Sequence, residues 1–501
     1  MSDLPRGYSV RLYNEDLAPR GKNAPWRTWD LFCWWMSAWH SLGGYTFAIG
    51  LLVLGLTGWQ MVVALFGGIL ILYWGCNLMG IAGQRLGVPF PVFARASFGV
   101  YGANIPALMR AFVAIAWYAI QTYLASLAVM TLVLKLHPDA KSLTTSSLLG
   151  LSTLGWICFL TLWVVQLAVL YRGMETVRKF SDFAGPVLWV AMIGLAIWVL
   201  SRAGWSLDWN YHQGPSLSVG GVVLALFSGI FLTVSYLAGP MLNFADFSRF
   251  SPTEKSIVHG NRLGLPINGT AFAIVSVVIA LASVKVYGKA VTDPVELVND
   301  IDNVAMLLVA TIAIAGSAVG INIILNFVSP AYDIANVWPE RLSFQSGGAI
   351  TAVLALLIMP WKIYSNPVAV NLFVGGVGAL MGPLFGVIMA DYYLIRKAQV
   401  DVDSLYSGDP KGPYFYGRGT NLNTLMALVP AGVITLILAL VPGFSALAPF
   451  SWPVGTALGA ALCLEVNRRR PNARLRAADL ALERDEVSSR PVPAASSDRE
   501  A

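Results

Sequence analysis

Residues 31–50 read LFCWWMSAWHSLGGYTFAIG, and residues 223–244 read VLALFSGIFLTVSYLAGPMLNF. Both are apolar enough to lie in lipid, and both are interrupted: the first by Gly43-Gly44, the second by Ser228-Gly229 and Gly239-Pro240. Glycine loosens a helix through backbone freedom, and proline removes an N–H donor from it. Counted along the chain, these are the first and sixth apolar spans, so they hold matching places in two successive sets of five. Paired interrupted spans of this kind point to a transporter binding site between inverted repeats, with ordinary membrane-helix kinks as the competing explanation. The expected fold is an all-α membrane protein with 12 transmembrane helices, five plus five in inverted repeat and two appended.

Composition agrees. Of 501 residues, 56% are apolar and 12% charged, against about 25% charged in a soluble domain. Apolar stretches fall at about 30–55, 58–80, 103–134, 148–170, 184–201, 219–240, 264–286, 303–327, 348–361, 367–391, 422–441 and 447–466. Most are long enough for a hydrocarbon core of about 30 Å, the ninth being short. The implied organisation is an N-terminal segment at 1–29, five-helix repeats at 30–201 and 219–391, two further helices at 422–466 and a polar, disordered tail at 467–501.

Lys and Arg set the orientation. With both termini cytoplasmic, the N-terminal segment, the loops at 82–102, 171–183, 241–263 and 392–421 and the Arg-rich tail together collect most of the basic residues, while the other face receives six, among them Lys135, Arg202 and Lys362. The expected location is the cytoplasmic membrane, crossed many times. Basic residues in short loops explain the net charge of +6 without a nucleic-acid partner. The four cysteines sit inside spans with no CxxC or Cys/His spacing, which excludes disulfide and metal frameworks. Residues before Asp30 are not expected to act as a signal peptide, because they lack an apolar core and a small-residue cleavage site.

Three amides lie in otherwise apolar sequence: Gln121, Asn322 and Asn326. An amide facing hydrocarbon costs several kcal/mol, so such groups face a bundle interior or a wet cavity. Trp117 is four residues before Gln121 and shares its helix face. A flat aromatic beside amide donors and acceptors suits a small, planar, uncharged, polar molecule.

Further strings complete the reading: NEDLAP (14–19) with RTW (27–29), GVPFPVFARASFG (87–99), AWYAIQTY (116–123), NFADFSRF (243–250), NFVSPAY (326–332), MPWK (359–362) and MGPLFGVIMADYYLIRK (381–397) followed by DSLY. In this order they resemble the nucleobase:cation symporter-1 family of purine, pyrimidine, allantoin and hydantoin permeases, over about residues 14–465. The resemblance implies the leucine-transporter-type fold and import of a uracil- or cytosine-type nucleobase, allantoin or a hydantoin by cation symport, by a monomer and without a cofactor. It implies stacking of the ring on Trp117, polar contacts from Gln121 and Asn326, and Asn322 lining the same helix. Trp39, Leu42, Tyr236, Leu237 and Val374 would surround the far side.

Two features depart from the family pattern. A second stacking Trp is replaced by Leu237, preceded by Tyr236. The sodium site implied by the resemblance falls on Ala38, Ser41, Ser317, Gly320 and Ile321, where both hydroxyl ligands of span 8 are missing. The coupling ion is thus expected to be a proton rather than sodium, with sodium coupling of the same substrates as the alternative. Arg110, Asp246 and His40 are the gate or coupling candidates, Arg110 and Asp246 being placed to pair; Asp182 and Asp391 are the other titratable groups near the spans. An enzyme is not expected, since no nucleophile–base set is visible. A channel or facilitator is the rival from another class, but the amides are too few to line a pore.

Overall fold

The computed structural model describes residues 4–21, 24–39, 42–214, 216–291, 304–364 and 367–471. The first expected span is two helices, α1 (Thr28–Trp39) and α2 (Leu42–Gly50). Asp30 accepts from Arg27 N at 2.7 Å and so holds the chain at the start of α1. A capping box between Thr57 and Gln60 starts α3 (Gly58–Leu86). The short α4 (Phe90–Phe98) leads into α5 (Asn104–Leu136), α6 (Thr153–Tyr171) and α7 (Met174–Arg202). The second half runs through α8 (Val219–Tyr236), α9 (Ala238–Leu242), α10 (Ala245–Ser248), α11 (Glu254–Arg262) and α12 (Thr270–Tyr287). It continues with α13 (Val304–Ile321), α14 (Val328–Val337), α15 (Phe344–Leu357), α16 (Pro360–Tyr364) and α17 (Pro367–Met389), and the chain adds α18 (Leu422–Leu440) and α19 (Ser451–Arg469). π-helical turns at Leu263–Gly269, Asn322–Phe327 and Ala390–Ile395 adjoin α12, α14 and α17.

Helix occupies each of the twelve expected stretches. Ten helices among the described residues are long and apolar enough to cross a membrane. The other two stretches hold the split α1–α2 segment and α15, which has 14 residues. Some boundaries differ from expectation. Helix α7 begins at Met174 rather than near 184, because its polar first turns are neutralised by ion pairs: Arg178 reaches Asp30 at 2.6 Å, Glu175 at 2.7 Å and Asp182 at 3.3 Å. The eighth span runs on to Val337 rather than stopping near 327, since Pro330 sits in the first turn of α14, where a missing N–H costs little.

The interruptions also sort differently. Span 6 breaks at Leu237 (φ −107°, ψ 15°). Pro240 has no N–H with which to close a helical bond to the carbonyl four residues back. Ser228-Gly229 does not interrupt α8. Gly229 instead lets α3 approach, for an added Cβ would lie 3.0 Å from Ala64 Cβ. Gly43-Gly44 lies in the first turn of α2, while His40 and Ser41 fall outside the described residues.

Helix α3 packs on α8, α1 on α7, α5 on α14, and α19 on α17. The last contact is a backbone approach between small residues. A Cβ on Gly386 would lie 2.1 Å from the Thr456 carbonyl oxygen, and one on Gly459 would lie 2.6 Å from that of Pro383. Gly386→Leu should therefore destabilise the protein by about 1–3 kcal/mol or more through overpacking. Gly432→Leu, where an added Cβ meets nothing within 4 Å, should be near neutral. Melting of the two purified variants checks this, and equal melting temperatures would count against the packing described.

Candidate functional site

Four side chains of α5 at helical spacing, Arg110, Val113, Trp117 and Gln121, form one wall of a narrow cleft. Tyr236, Leu237, Gly239 and Pro240, at the break in span 6, form the second wall. Ile321, Leu325 and Asn326, around the π-helical turn, supply the third, and Val377 of α17 closes it. The free space among these atoms, solvent at its mouth included, is about 370 Å³, but only about 20 Å³ of it can hold the centre of a water molecule, so the walls must part to admit a ring. Two helix irregularities thus line one cleft beside α5, as π-turns and broken helices often do at functional sites.

The aromatic end of the cleft is a cluster of edge contacts. Trp117 meets Tyr236 at 5.7 Å and 83°, and Phe373 at 5.3 Å and 64°. Tyr236 in turn stacks on Phe47 at 4.8 Å and 11°. Trp117 is only partly buried, so part of its indole remains available to a flat ring.

The polar end carries the amides. Gln121 is 1% exposed, and its Oε1 has no hydrogen-bond partner among the described residues. A buried acceptor left in this state costs about 1–3 kcal/mol, which a ligand N–H would remove. Asn322 does not line the cleft. It is fully buried, donating to Tyr118 O at 3.2 Å and Thr122 Oγ1 at 3.0 Å, and its Oδ1 accepts from Asn326 Nδ2 at 3.1 Å. This chain fixes the Asn326 amide and leaves its Oδ1 for a ligand. Asn322 is a brace, because two amides one turn apart on a single face satisfy each other first.

Arg110 does not pair directly with Asp246. Its Nε donates to Asn243 Oδ1 at 3.1 Å, and Asn243 Nδ2 donates to Asp246 Oδ2 at 3.0 Å, so Asn243 stands between them. Asp246 Oδ1 also accepts from Phe90 N at 2.8 Å, and an Arg110 terminal N–H donates to Leu325 O at 3.0 Å. One cation thereby ties together α5, the broken span 6 and the π-turn. Gly239 is needed here, as an added Cβ would lie 3.1 Å from Arg110 Cζ.

Other candidates fall elsewhere. Trp39 is 3% exposed and packs against Gly269 rather than lining the cleft. The Leu42 and Val374 side chains, like His40 and Ser41, lie outside the described set. Asp391 is bound to Arg396 at 2.7 Å and Ser97 Oγ at 2.7 Å, and Asp182 belongs to the Arg178 cluster, so both are structural anchors. Of the five implied sodium-site positions, Ala38 lies in the last turn of α1, which packs beside α13, while Gly320 and Ile321 offer backbone oxygens only. Ser317 is buried on the same helix. Sequence reading missed Asn243, Phe373 and Asp333. The first is hidden in a loop motif, the second in an all-apolar run with no phase, and the third lies beyond the expected end of its span.

A family model described as "Permease for cytosine/purines, uracil, thiamine, allantoin" matches residues 19–455. The allantoin permease of Bacillus subtilis (strain 168) is 36% identical over 470 residues, which is 93% of this chain and 95% of that protein. A purine-uracil permease of Arabidopsis thaliana is 32% identical over 440 residues, covering 87% of this chain and 72% of its own length. Among solved structures, a nucleobase-cation-symport-1 family transporter in a closed conformation with bromovinylhydantoin bound superposes with a TM-score of 0.74 at 21% identity. That match covers 93% of this chain and 99% of the other, and it shows a shared fold.

Proposed function

The chain belongs to the family of permeases for cytosine and purines, uracil, thiamine and allantoin, and from that membership we propose that it imports a small planar N-heterocycle by proton symport. Allantoin is the first candidate substrate and uracil the second, following the names of the similar permeases. The observation that carries the reading is the cleft itself: an aromatic face at Trp117, an unsatisfied acceptor at Gln121 and a braced amide at Asn326. A ring bounded by alternating N–H and C=O groups matches that set, since it satisfies the amides while its face covers the indole. Tyr236, at right angles to Trp117, takes the place of a second parallel ring and favours compact heterocycles over long substituted ones.

Proton coupling follows from donor chemistry. A hard cation needs several oxygens to replace its hydration shell, and Gly320 and Ile321 bring no hydroxyl. The carrier class is tested by uptake into proteoliposomes. Accumulation of labelled allantoin or uracil above the external concentration is expected, whereas equilibration without accumulation would indicate a channel.

The same reading places both termini in the cytoplasm and the two five-helix repeats at 30–201 and 219–391. All four native cysteines are buried, so single introduced cysteines report topology cleanly. Lys255→Cys and Ser142→Cys replace exposed residues. A membrane-impermeant maleimide applied to intact cells should label position 142 and not 255. Labelling of 255 from outside would reverse the orientation.

A further inference from the structure

Asp333 is fully buried in α14, and neither of its carboxylate oxygens has a hydrogen-bond partner among the described residues. It lies seven residues beyond Asn326, about 10 Å along a helix, on the span that forms one wall of the cleft. An ionised carboxylate with no donor is far costlier in such a place than the neutral acid, so buried groups of this kind carry a proton.

The surrounding charges set the conditions for releasing it. From α5, Arg110 faces Asp333, and from α10 Asp246 faces it as a like charge. Arg110 already gives its Nε to Asn243 and a terminal N–H to the Leu325 carbonyl. From α4, Arg95 donates to Asn336 Oδ1 at 2.7 Å on the same helix and to Leu405 O at 3.1 Å. Arg249 lies over the ring of the neighbouring Tyr332 at 4.6 Å and donates to the backbone carbonyls of Asp16 and Ala18. Helix α15 packs on α14 and has no titratable residue. Two carboxylates therefore share the field of Arg110, and Asp246 is the better bonded of the two. This is the arrangement in which one proton is kept on the poorer site.

Resting on the proton-symport reading above, we propose that Asp333 is the group that carries the coupled proton. Its carboxylate takes H⁺ from water entering the cleft when the outer side is open, and returns it to cytoplasmic water when the inner side opens. Arg110 links the two events, because it lines the cleft, holds the carbonyl next to Asn326 and faces Asp333. Movement of the π-turn on binding substrate would move the cation relative to the acid.

The test uses purified full-length protein in liposomes with a potassium diffusion potential, and labelled allantoin as the probe. One proton entering per neutral substrate sustains about fiftyfold accumulation at 100 mV, inside negative. Asp333→Asn should retain exchange of labelled for unlabelled allantoin but accumulate it no more than about twofold, and its exchange should lose dependence on pH. Asp333→Glu, which keeps a carboxyl in a displaced position, should still accumulate with a shifted pH midpoint, and it supplies the answer if the Asn variant does not fold. Accumulation by Asp333→Asn with the parent's pH profile, or an unshifted profile for Asp333→Glu, overturns the assignment while leaving the symporter reading intact. A parent protein that neither exchanges nor accumulates allantoin or uracil removes the functional reading, and this inference with it.

Discussion

Gln121→Ala and Asn326→Ala should each weaken binding of the transported heterocycle by about ten- to hundredfold, equivalent to roughly 1–3 kcal/mol. Each change leaves one polar edge of a buried ligand unpaired. Trp117→Ala should cost a comparable amount through lost stacking and apolar contact. Gln121→Ala removes a group that is unsatisfied without ligand, so it should not destabilise the empty protein. Asn322→Ala acts indirectly by releasing Asn326 from its 3.1 Å hydrogen bond. It should therefore weaken binding less than Asn326→Ala while lowering the melting temperature more, because it also leaves Thr122 without that bond. Isothermal titration and melting of the four variants separate contact from support.

Collapse of the proton gradient should abolish accumulation, whereas replacing external sodium by choline should change initial uptake less than about threefold, because the implied site lacks the oxygen number that a hard cation needs. The converse experiment restores the missing donors. An added Cβ at Gly320 meets only Phe180, at 3.6 Å, so Gly320→Ser fits without rearrangement. Combined with Ile321→Thr, it should raise sodium dependence above that of the parent. Because Ile321 lines the cleft, the single Ile321→Thr variant is the control for altered substrate contact. A steep sodium requirement in the parent would contradict this account of coupling.

Trp117 and Gln121 were legible in the sequence because spacing of four residues on a continuous helix fixes a shared face. Leu237 and Tyr236 were reached only through the family resemblance, which sets them at a stacking position, although Gly239-Pro240 did mark the break beside them. Asn322 was not, because its partners Tyr118 and Thr122 belong to another helix, and only packing shows that the amide is consumed. Ser228-Gly229 read as an interruption, since a close approach by a neighbouring helix and a kink use the same residue. Asp333 was hidden because apolarity fades after residue 327, while the helix continues to Val337 inside the bundle. There, polar side chains are satisfied by Arg95 and Asn104 through Asn336 rather than by water. Composition locates the lipid-facing part of a span well, and its polar inner continuation poorly.

The central claim, that the cleft between α5, the broken span 6 and the π-turn of span 8 binds a planar heterocycle, is tested most directly by ligand-dependent melting. A carrier that binds substrate in its folded state is stabilised according to ligand concentration over dissociation constant. Purified parent protein titrated with allantoin, uracil, cytosine and hydantoin should show a concentration-dependent rise in melting temperature with at least one of them. Gln121→Ala and Asn326→Ala should lose that rise over the same concentrations, with a ligand-free melting temperature near the parent's for Gln121→Ala and lower for Asn326→Ala, which leaves the buried Asn322 Oδ1 unpaired. An equal rise in both variants, or none for the parent with any of the four compounds, would contradict it.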